Sequence, residues 1–313
     1  MFDRIVTLSL NPAIDVTLWV DQVLPGSDNF VRAEKYAAGG KAVNISRVLS
    51  MYGVDNVAVV LAGRHNLTRY ESRLKEEGIR YALVPVEGST RENIVVVQQD
   101  RSTTRFLREG FTVPYEAVEE LLQQLSQLVS KGTLVVISGT LPGGISVKVL
   151  KTICRQVTQW GGLLAVDVAA DFTMEDVAEI SPWMIKPNRR ELCAFTRREL
   201  STNQEIVDCC LELNRLGVEN CLVSMGYHGI IYTGPEGIYQ VDVPDVNVVS
   251  AVGSGDYCLA GFLMGRATGG DMMKALKTAA AFGTAACLTE GTEPPTRLAT
   301  ANILQQVCCE RLG

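Results

Sequence analysis

The sequence predicts an α/β fold: a central, mostly parallel sheet with helices on both faces and a small β-sheet lid. Three observations predict it. Short apolar runs recur along the chain, near-continuous rather than alternating, as strands buried on both faces require. Segments of helical period lie between them. Two stretches, at about residues 12–38 and 88–111, break that rhythm with alternating polar and apolar residues.

The strand-like runs are Ile5–Leu10, Val57–Ala62, Leu134–Ser138, Leu163–Val168, Trp183–Lys186 and Cys221–Ser224. The first helix is expected over Val43–Met51, closed by Gly53. Tyr115–Val129 places Val118, Leu121, Leu122, Leu125 and Leu128 on one face. Val147–Trp160 and Gln204–Leu216 are further helices, the latter stopped by Gly217. Ile14–Val31 is strand-like with Asp15, Thr17 and Trp19 interleaved. Asn93–Phe111 resembles a hairpin, with Ile94–Val97 and Thr103–Leu107 about a polar tip. Antiparallel strands of this kind suit a small second sheet over the carboxyl ends of the parallel strands, where open α/β folds bind ligands. Val246–Val249 reads as one more strand, and from Asp256 the chain reads as largely helical. One domain, residues 1–313, is expected, with no internal repeat or linker.

Composition excludes several functions. The net charge is −6 and no run of Lys and Arg stands out, so neither nucleic acid nor an anionic membrane has support as a partner. The longest apolar stretch, Ala279–Leu288, is too short to span a bilayer. Nine cysteines are scattered without a Cys-x-x-Cys or a signal-peptide layout, which reads as reduced thiols in a cytoplasmic protein. Two histidines, His65 and His228, leave little material for a zinc site or a His-based triad.

The most informative segment is Val252-Gly253-Ser254-Gly255-Asp256-Tyr257 before a helix-forming run. Glycines let the backbone aim several N–H groups at one point, and a helix N-terminus adds partial positive charge. An anion held there would have Asp256 beside it. A carboxylate next to a phosphate suits proton abstraction from a hydroxyl attacking that phosphate. A turn with Asp as a helix cap is the plainer alternative.

Other segments add polar groups at strand ends. Gly39-Gly40-Lys41-Ala42-Val43-Asn44 supplies close backbone approach, a cation and an amide. It is not a Walker A loop, since residue 35 is Lys and Ala42 stands where Ser or Thr is needed. Thr90-Arg91-Glu92-Asn93 places a guanidinium and an amide at the lid edge. Ser138-Gly139-Thr140 ends a buried strand. In Lys186-Pro187-Asn188-Arg189-Arg190-Glu191, Asn188 and Glu191 share one helical face. They form either a capping box or an indirect, water-mediated site for Mg²⁺. Ser224-Met225-Gly226-Tyr227-His228-Gly229 ends another strand in a form that suits a nucleotide contact or a plain turn.

Taken in order, and almost end to end, these segments resemble the ribokinase/PfkB carbohydrate kinases. Thr7-Leu8-Ser9-Leu10-Asn11-Pro12-Ala13-Ile14-Asp15, Thr90-Arg91-x-Asn93 and Lys186-Pro187-Asn188-Arg189-Arg190-Glu191-Leu192 resemble its hexose-phosphate branch. The resemblance implies a ribokinase-like fold and an enzyme using ATP and Mg²⁺. The expected reaction is fructose 1-phosphate to fructose 1,6-bisphosphate, with tagatose 6-phosphate as the alternative substrate. By that resemblance Asp256 is the catalytic base, and Gly253, Ser254 and Gly255 form the anion hole. Asp15, Gly39, Gly40, Lys41, Asn44, Arg91, Asn93 and Ser138 would hold the sugar phosphate. Lys186, Asn188, Glu191, Ser224, Gly226 and Gly229 would serve the nucleotide, with Asn188 and Glu191 reaching the metal through water. Arg32 and Arg105 lie on the lid segments without an assigned role.

The chain departs from the family pattern at three places. Ala42 stands for a usual glycine, Tyr257 for a small residue after the base, and Gly143 for a common proline. They leave open a non-catalytic sugar-phosphate-binding homologue, although an intact Asp256 opposes that reading. A Rossmann dehydrogenase fails on Asn11-Pro12, which stands where Gly-x-Gly-x-x-Gly is needed. The lid segments carry no helix for their outer face, and small sheets need a second layer. The expectation is therefore a homodimer through the lid, as is common in the family, with the pocket closing on its substrate.

Overall fold

A computed structural model describes residues 2–168 and 172–313. The first strand, β1 (Arg4–Ser9), shows why the sheet forms. Val6 and Leu8 point to one face and Ile5 to the other, and all three are buried. Such a strand is stable only between two helical layers.

The chain continues through β2 (Ala13–Val20), β3 (Val31–Gly39), α1 (Lys41–Met51), β4 (Asn56–Gly63), α2 (Leu67–Glu76), β5 (Tyr81–Val86), β6 (Arg91–Val97) and β7 (Thr103–Phe106). Then come α3 (Tyr115–Leu128), β8 (Thr133–Gly139), α4 (Val147–Gln159), β9 (Leu163–Val168), α5 (Met174–Ile180), β10 (Met184–Ile185), α6 (Arg189–Thr196), α7 (Asn203–Arg215) and β11 (Asn220–Ser224). It ends with β12 (Ile230–Gly234), β13 (Gly237–Asp242), α8 (Ser254–Ala267), α9 (Met272–Ala286), α10 (Arg297–Leu304) and β14 (Cys308–Arg311).

The large sheet has ten strands in the order β14-β13-β12-β11-β10-β9-β8-β1-β4-β5. From β5 to β11 the pairing is parallel; β12, β13 and β14 add antiparallel to one edge. One face is covered by α3, α4, α6 and α7 through residues such as Leu121, Ile153, Leu192 and Leu213. The other is covered by α1, α8 and α9 through Ile45, Phe262 and Leu276.

A second sheet of four strands runs β3-β2-β6-β7. Its outer pairs are antiparallel as expected, but β2 and β6 lie parallel because β6 enters from the end of β5 rather than from a hairpin with β2. The root of this sheet is not bare. Ile14, Val16 and Ala38 pack with Tyr70 and Leu74 of α2 and Val43 of α1. Its two edges are open: Phe30, just before β3, is 76% exposed and Leu107, just after β7, 65%.

Several sequence expectations need correction. Val246–Val249 is not a strand, and residues 243–250 are irregular. The N–H groups of Val249 and Ser250 turn to the Cys287 carbonyl at the end of α9, so the segment docks on a helix. Trp183–Lys186 yields only the two-residue β10, because Pro182 and Pro187 flank it and cannot donate to a ladder. The end of the chain is largely helical, as expected, through α8, α9 and α10, and the short β14 closes the sheet edge. Ala42, in place of the family's usual glycine, lies in α1, and the left-handed residue is Gly40, at φ 116°. Gly143 lets residues 112–113 pair alongside; a Cβ there would lie 2.9 Å from Thr112 Oγ1.

Candidate active site

The carboxyl ends of β9, β10 and β11, the lid and the start of α8 enclose a cleft of about 660 Å³. At its floor α8 begins at Gly253, whose φ of 78° is left-handed. An alanine Cβ there would also press on the Tyr257 ring at 3.3 Å. No side chain caps this helix, so its first-turn N–H groups face the cleft as a site for negative charge.

Asp256 sits in the first turn of α8 and is 5% exposed. Its Oδ2 accepts from Asn44 Nδ2 at 2.8 Å. Burial pushes its pKa up to about 6, and the Asp167 carboxylate adds to the rise. Asn44, Lys41 and Lys186 work against it. The result is a group that is mostly ionised at neutral pH yet a better proton acceptor than an exposed aspartate.

Asp167, at the end of β9, organises the cations. Its Oδ1 lies 3.3 Å from Lys186 Nζ, and its Oδ2 lies 3.8 Å from Lys41 Nζ. Ser138 Oγ donates to that Oδ2 at 2.9 Å. Burial opposes the charge on Lys186, but Asp167, with smaller help from Asp256 and Glu191, overcomes it and raises the lysine's pKa.

On the lid side, Asp15 of β2 accepts from Asn93 Nδ2 at 3.1 Å and from Thr292 Oγ1 at 3.0 Å. Arg91 is anchored by the carbonyls of Pro12 and Asn11 at 3.3 and 3.2 Å. Burial lowers its pKa, with Asp15 pulling the other way. Among the described residues the buried Oδ1 atoms of Asn11 and Asn93 have no partner. That of Asn93, which lines the cleft, suits a ligand with donors, as a sugar's hydroxyls are. Arg105 of β7 also reaches the cleft.

Opposite, Asn188 caps α6. Its side chain accepts from Glu191 N at 2.9 Å, and Glu191 Oε2 accepts from Asn188 N at 2.8 Å. The capping box is therefore formed in full, and both residues also line the cleft. Among the described residues no group of three His, Cys, Asp or Glu side chains could cage a metal. The donor set fits an ion held chiefly by phosphate and water, with Glu191 and Asn188 behind it. Ser224, Gly226 and Gly229 complete this wall, with Tyr227, Val246 and Val248 beyond.

Of the residues anticipated from sequence, Gly39 and Ser138 alone do not line the cleft. Gly39 packs against Asp15, where any Cβ would overlap the carboxylate, and Ser138 stands behind Asp167. Arg32, left unplaced by the sequence, pairs with Asp21 on the lid surface. Sequence reasoning missed Asp167 and Thr292 altogether. Asp167 ends an apolar strand without glycine punctuation, and Thr292 is 277 residues from its partner Asp15.

Comparisons with known proteins agree with this architecture. The sequence profile of the pfkB family carbohydrate kinases matches residues 5–298. A 1-phosphofructokinase of Vibrio cholerae is 30% identical over 85% of this chain and 83% of its own. A tagatose-6-phosphate kinase of Staphylococcus epidermidis is 30% identical over 89% of this chain and 90% of its own. The crystal structure of phosphofructokinase-2 from Escherichia coli superposes with a TM-score of 0.89 at 26% identity, covering 98% of this chain and 99% of that one. A tetrameric inhibited form of that enzyme is also known.

Proposed function

This chain belongs to the pfkB family of carbohydrate kinases, and from that premise we propose that it phosphorylates fructose 1-phosphate to fructose 1,6-bisphosphate. It is an ATP-dependent kinase that uses Mg²⁺. One observation carries the proposal: a buried carboxylate, Asp256, lies between the bare N-terminus of α8 and a wall of polar side chains.

Asp256 takes the proton of the sugar hydroxyl as its oxygen attacks the terminal phosphorus of ATP, and the bond to the bridging oxygen of ADP breaks. First-turn N–H groups of α8 and the Lys41 ammonium offset charge on the transferred group. Asn188 and Glu191 would hold Mg²⁺ indirectly, through water, and the ion would supply further neutralisation of phosphate charge. The substrate's own phosphate is met by Arg91, with Arg105 and Lys41 as further cations on the same wall. Asp15 and Asn93 orient the sugar. Lys186, Ser224, Gly226 and Gly229 line the nucleotide side.

The rival substrate is tagatose 6-phosphate, favoured by the equal identity to the Staphylococcus kinase. ADP release measured across fructose 1-phosphate, fructose 6-phosphate, tagatose 6-phosphate and the free sugars decides between them. The proposal expects fructose 1-phosphate to give the highest kcat/KM; preference for a free sugar would overturn it.

We also propose one functional unit over residues 1–313, with the lid as an insertion, and a homodimer through the lid. The support is exposed apolar side chains at both of its edges, Phe30 and Val31 by β3 and Phe106 and Leu107 by β7. A monomer mass by light scattering at micromolar concentration would remove the dimer. Nine unpaired cysteines among the described residues favour a reducing, cytoplasmic setting, and no described helix is long and apolar enough to cross a membrane.

A further inference from the structure

Behind the base lies a buried charge that phosphoryl transfer itself does not touch. Arg47 follows Asn44 by one turn of α1 and is 5% exposed. Its Nε donates to Glu77 Oε2 at 2.8 Å, just past α2. Its Nη2 donates to the Ala38 carbonyl at the root of the lid, where Glu77 Oε1 also accepts from Ala38 N at 3.2 Å. Its Nη1 donates to Asn44 Oδ1 at 2.6 Å and lies 3.4 Å from the Tyr257 hydroxyl. That hydroxyl in turn donates to the Thr292 carbonyl.

A guanidinium has donors only. The Asn44 atom facing Arg47 must therefore be the oxygen, and the amide nitrogen is left pointing at Asp256. Without Arg47 only the Asp256 carboxylate holds the amide, and that hold is lost when Asp256 takes up a proton; the flipped form sets oxygen lone pairs against the carboxylate. We propose that Arg47 is a positioning residue, which locks the Asn44 amide in the one orientation that donates to Asp256 and ties that orientation to the seated root of the lid. The inference rests on Asp256 as the base. It also accounts for Tyr257, the unusual neighbour of that base: a small residue there would leave the second acceptor beside Arg47 missing.

The competing explanation is that Arg47 is a structural ion pair with Glu77 and nothing more. A double-mutant cycle separates the two. Arg47→Met is expected to lower kcat about tenfold while the KM for ATP stays within about twofold. In an Asn44→Ala background the same change should cost less than about threefold, because the amide to be oriented is gone. Glu77→Gln removes the charge pair but leaves Arg47 facing Asn44. It should lower the melting temperature and keep kcat within about threefold. Should Arg47→Met fail to fold, Arg47→Lys keeps a charge for Glu77 but loses the fork to Asn44, and it enters the same cycle. Multiplicative losses at residues 44 and 47, or a Glu77→Gln protein as slow as the Arg47 variant, would overturn the proposal. An active Asp256→Asn protein would instead remove the base, so the two failures are distinct.

Discussion

On the lid side of the cleft, side chains bind one another before any ligand arrives: Asp15 to Asn93 and Thr292, Arg91 to two carbonyls, Asn44 to Asp256. On the opposite side, Gly226, Gly229 and residues 253–255 offer main chain and space, and two of the polar side chains there, Asn188 and Glu191, cap a helix. The first wall is arranged to read a particular pattern of hydroxyls and phosphate. The second is arranged to accept phosphates of any nucleotide through N–H groups and a helix end. Selectivity for the sugar should therefore be sensitive to side-chain changes, and nucleotide binding to backbone changes. Asp256 stands where the two walls meet.

The largest effect is expected where the walls share a residue. Asp256→Asn keeps the shape and removes the proton acceptor, so kcat should fall by about 10²–10⁴ with the fold intact by circular dichroism. Turnover near that of the parent would dissolve the boundary between the walls.

A smaller and one-sided effect is expected at Arg91. Removing a charged donor to a phosphate costs about 1.5–3 kcal/mol, so Arg91→Ala should raise KM for the sugar phosphate about 10- to 100-fold and leave that for ATP nearly unchanged. Equal rises in both would mean that the lid wall does not act alone.

Gly253→Ala tests the other wall. The left-handed φ costs an alanine about 1 kcal/mol, and the contact with Tyr257 adds to it. The expected result is a loss of about tenfold in kcat/KM for ATP as the first-turn N–H groups shift. A change confined to the sugar phosphate would contradict the assignment.

The smallest effect is in pH. With Asp256 at about 6, kcat/KM should fall on the acid side with a midpoint near that value, as the base takes up its proton before the substrate can give one. Stability runs the other way. The native pKa lies above the unfolded value of about 4, so the native state binds the proton more tightly between the two. The contribution of Asp256 to stability therefore rises as pH falls through that window. Melting curves of the parent and of Asp256→Asn should converge as pH drops from 7 to 5.

What the sequence made legible follows from local chemistry. The Gly253–Asp256 turn, the Asn188–Glu191 cap and the Arg91–Asn93 edge each sit beside glycine, proline or an abrupt change of pattern. Lys41 and Asn44 follow the Gly-Gly step, although the strained position is Gly40 and Ala42 is an ordinary helical residue. Asp167 was invisible because a single carboxylate ending an apolar strand looks like any strand end. Its importance comes from Lys41, Lys186 and Ser138, which only the parallel order β1-β8-β9-β10 brings together. Thr292 and Arg47 are likewise made relevant by tertiary packing. Val246–Val249 misled because β-branched residues mark strands only where a partner edge exists, and α9 stands there instead.

The division between the walls is tested most directly by calorimetric binding of sugar phosphate and of a non-hydrolysable ATP analogue, each alone, to the Arg91→Ala and Gly253→Ala proteins. The account predicts that Arg91→Ala weakens the sugar phosphate about 10-fold or more and the analogue less than about 2-fold, with the reverse ranking for Gly253→Ala. Equal losses for both ligands in both proteins would contradict it.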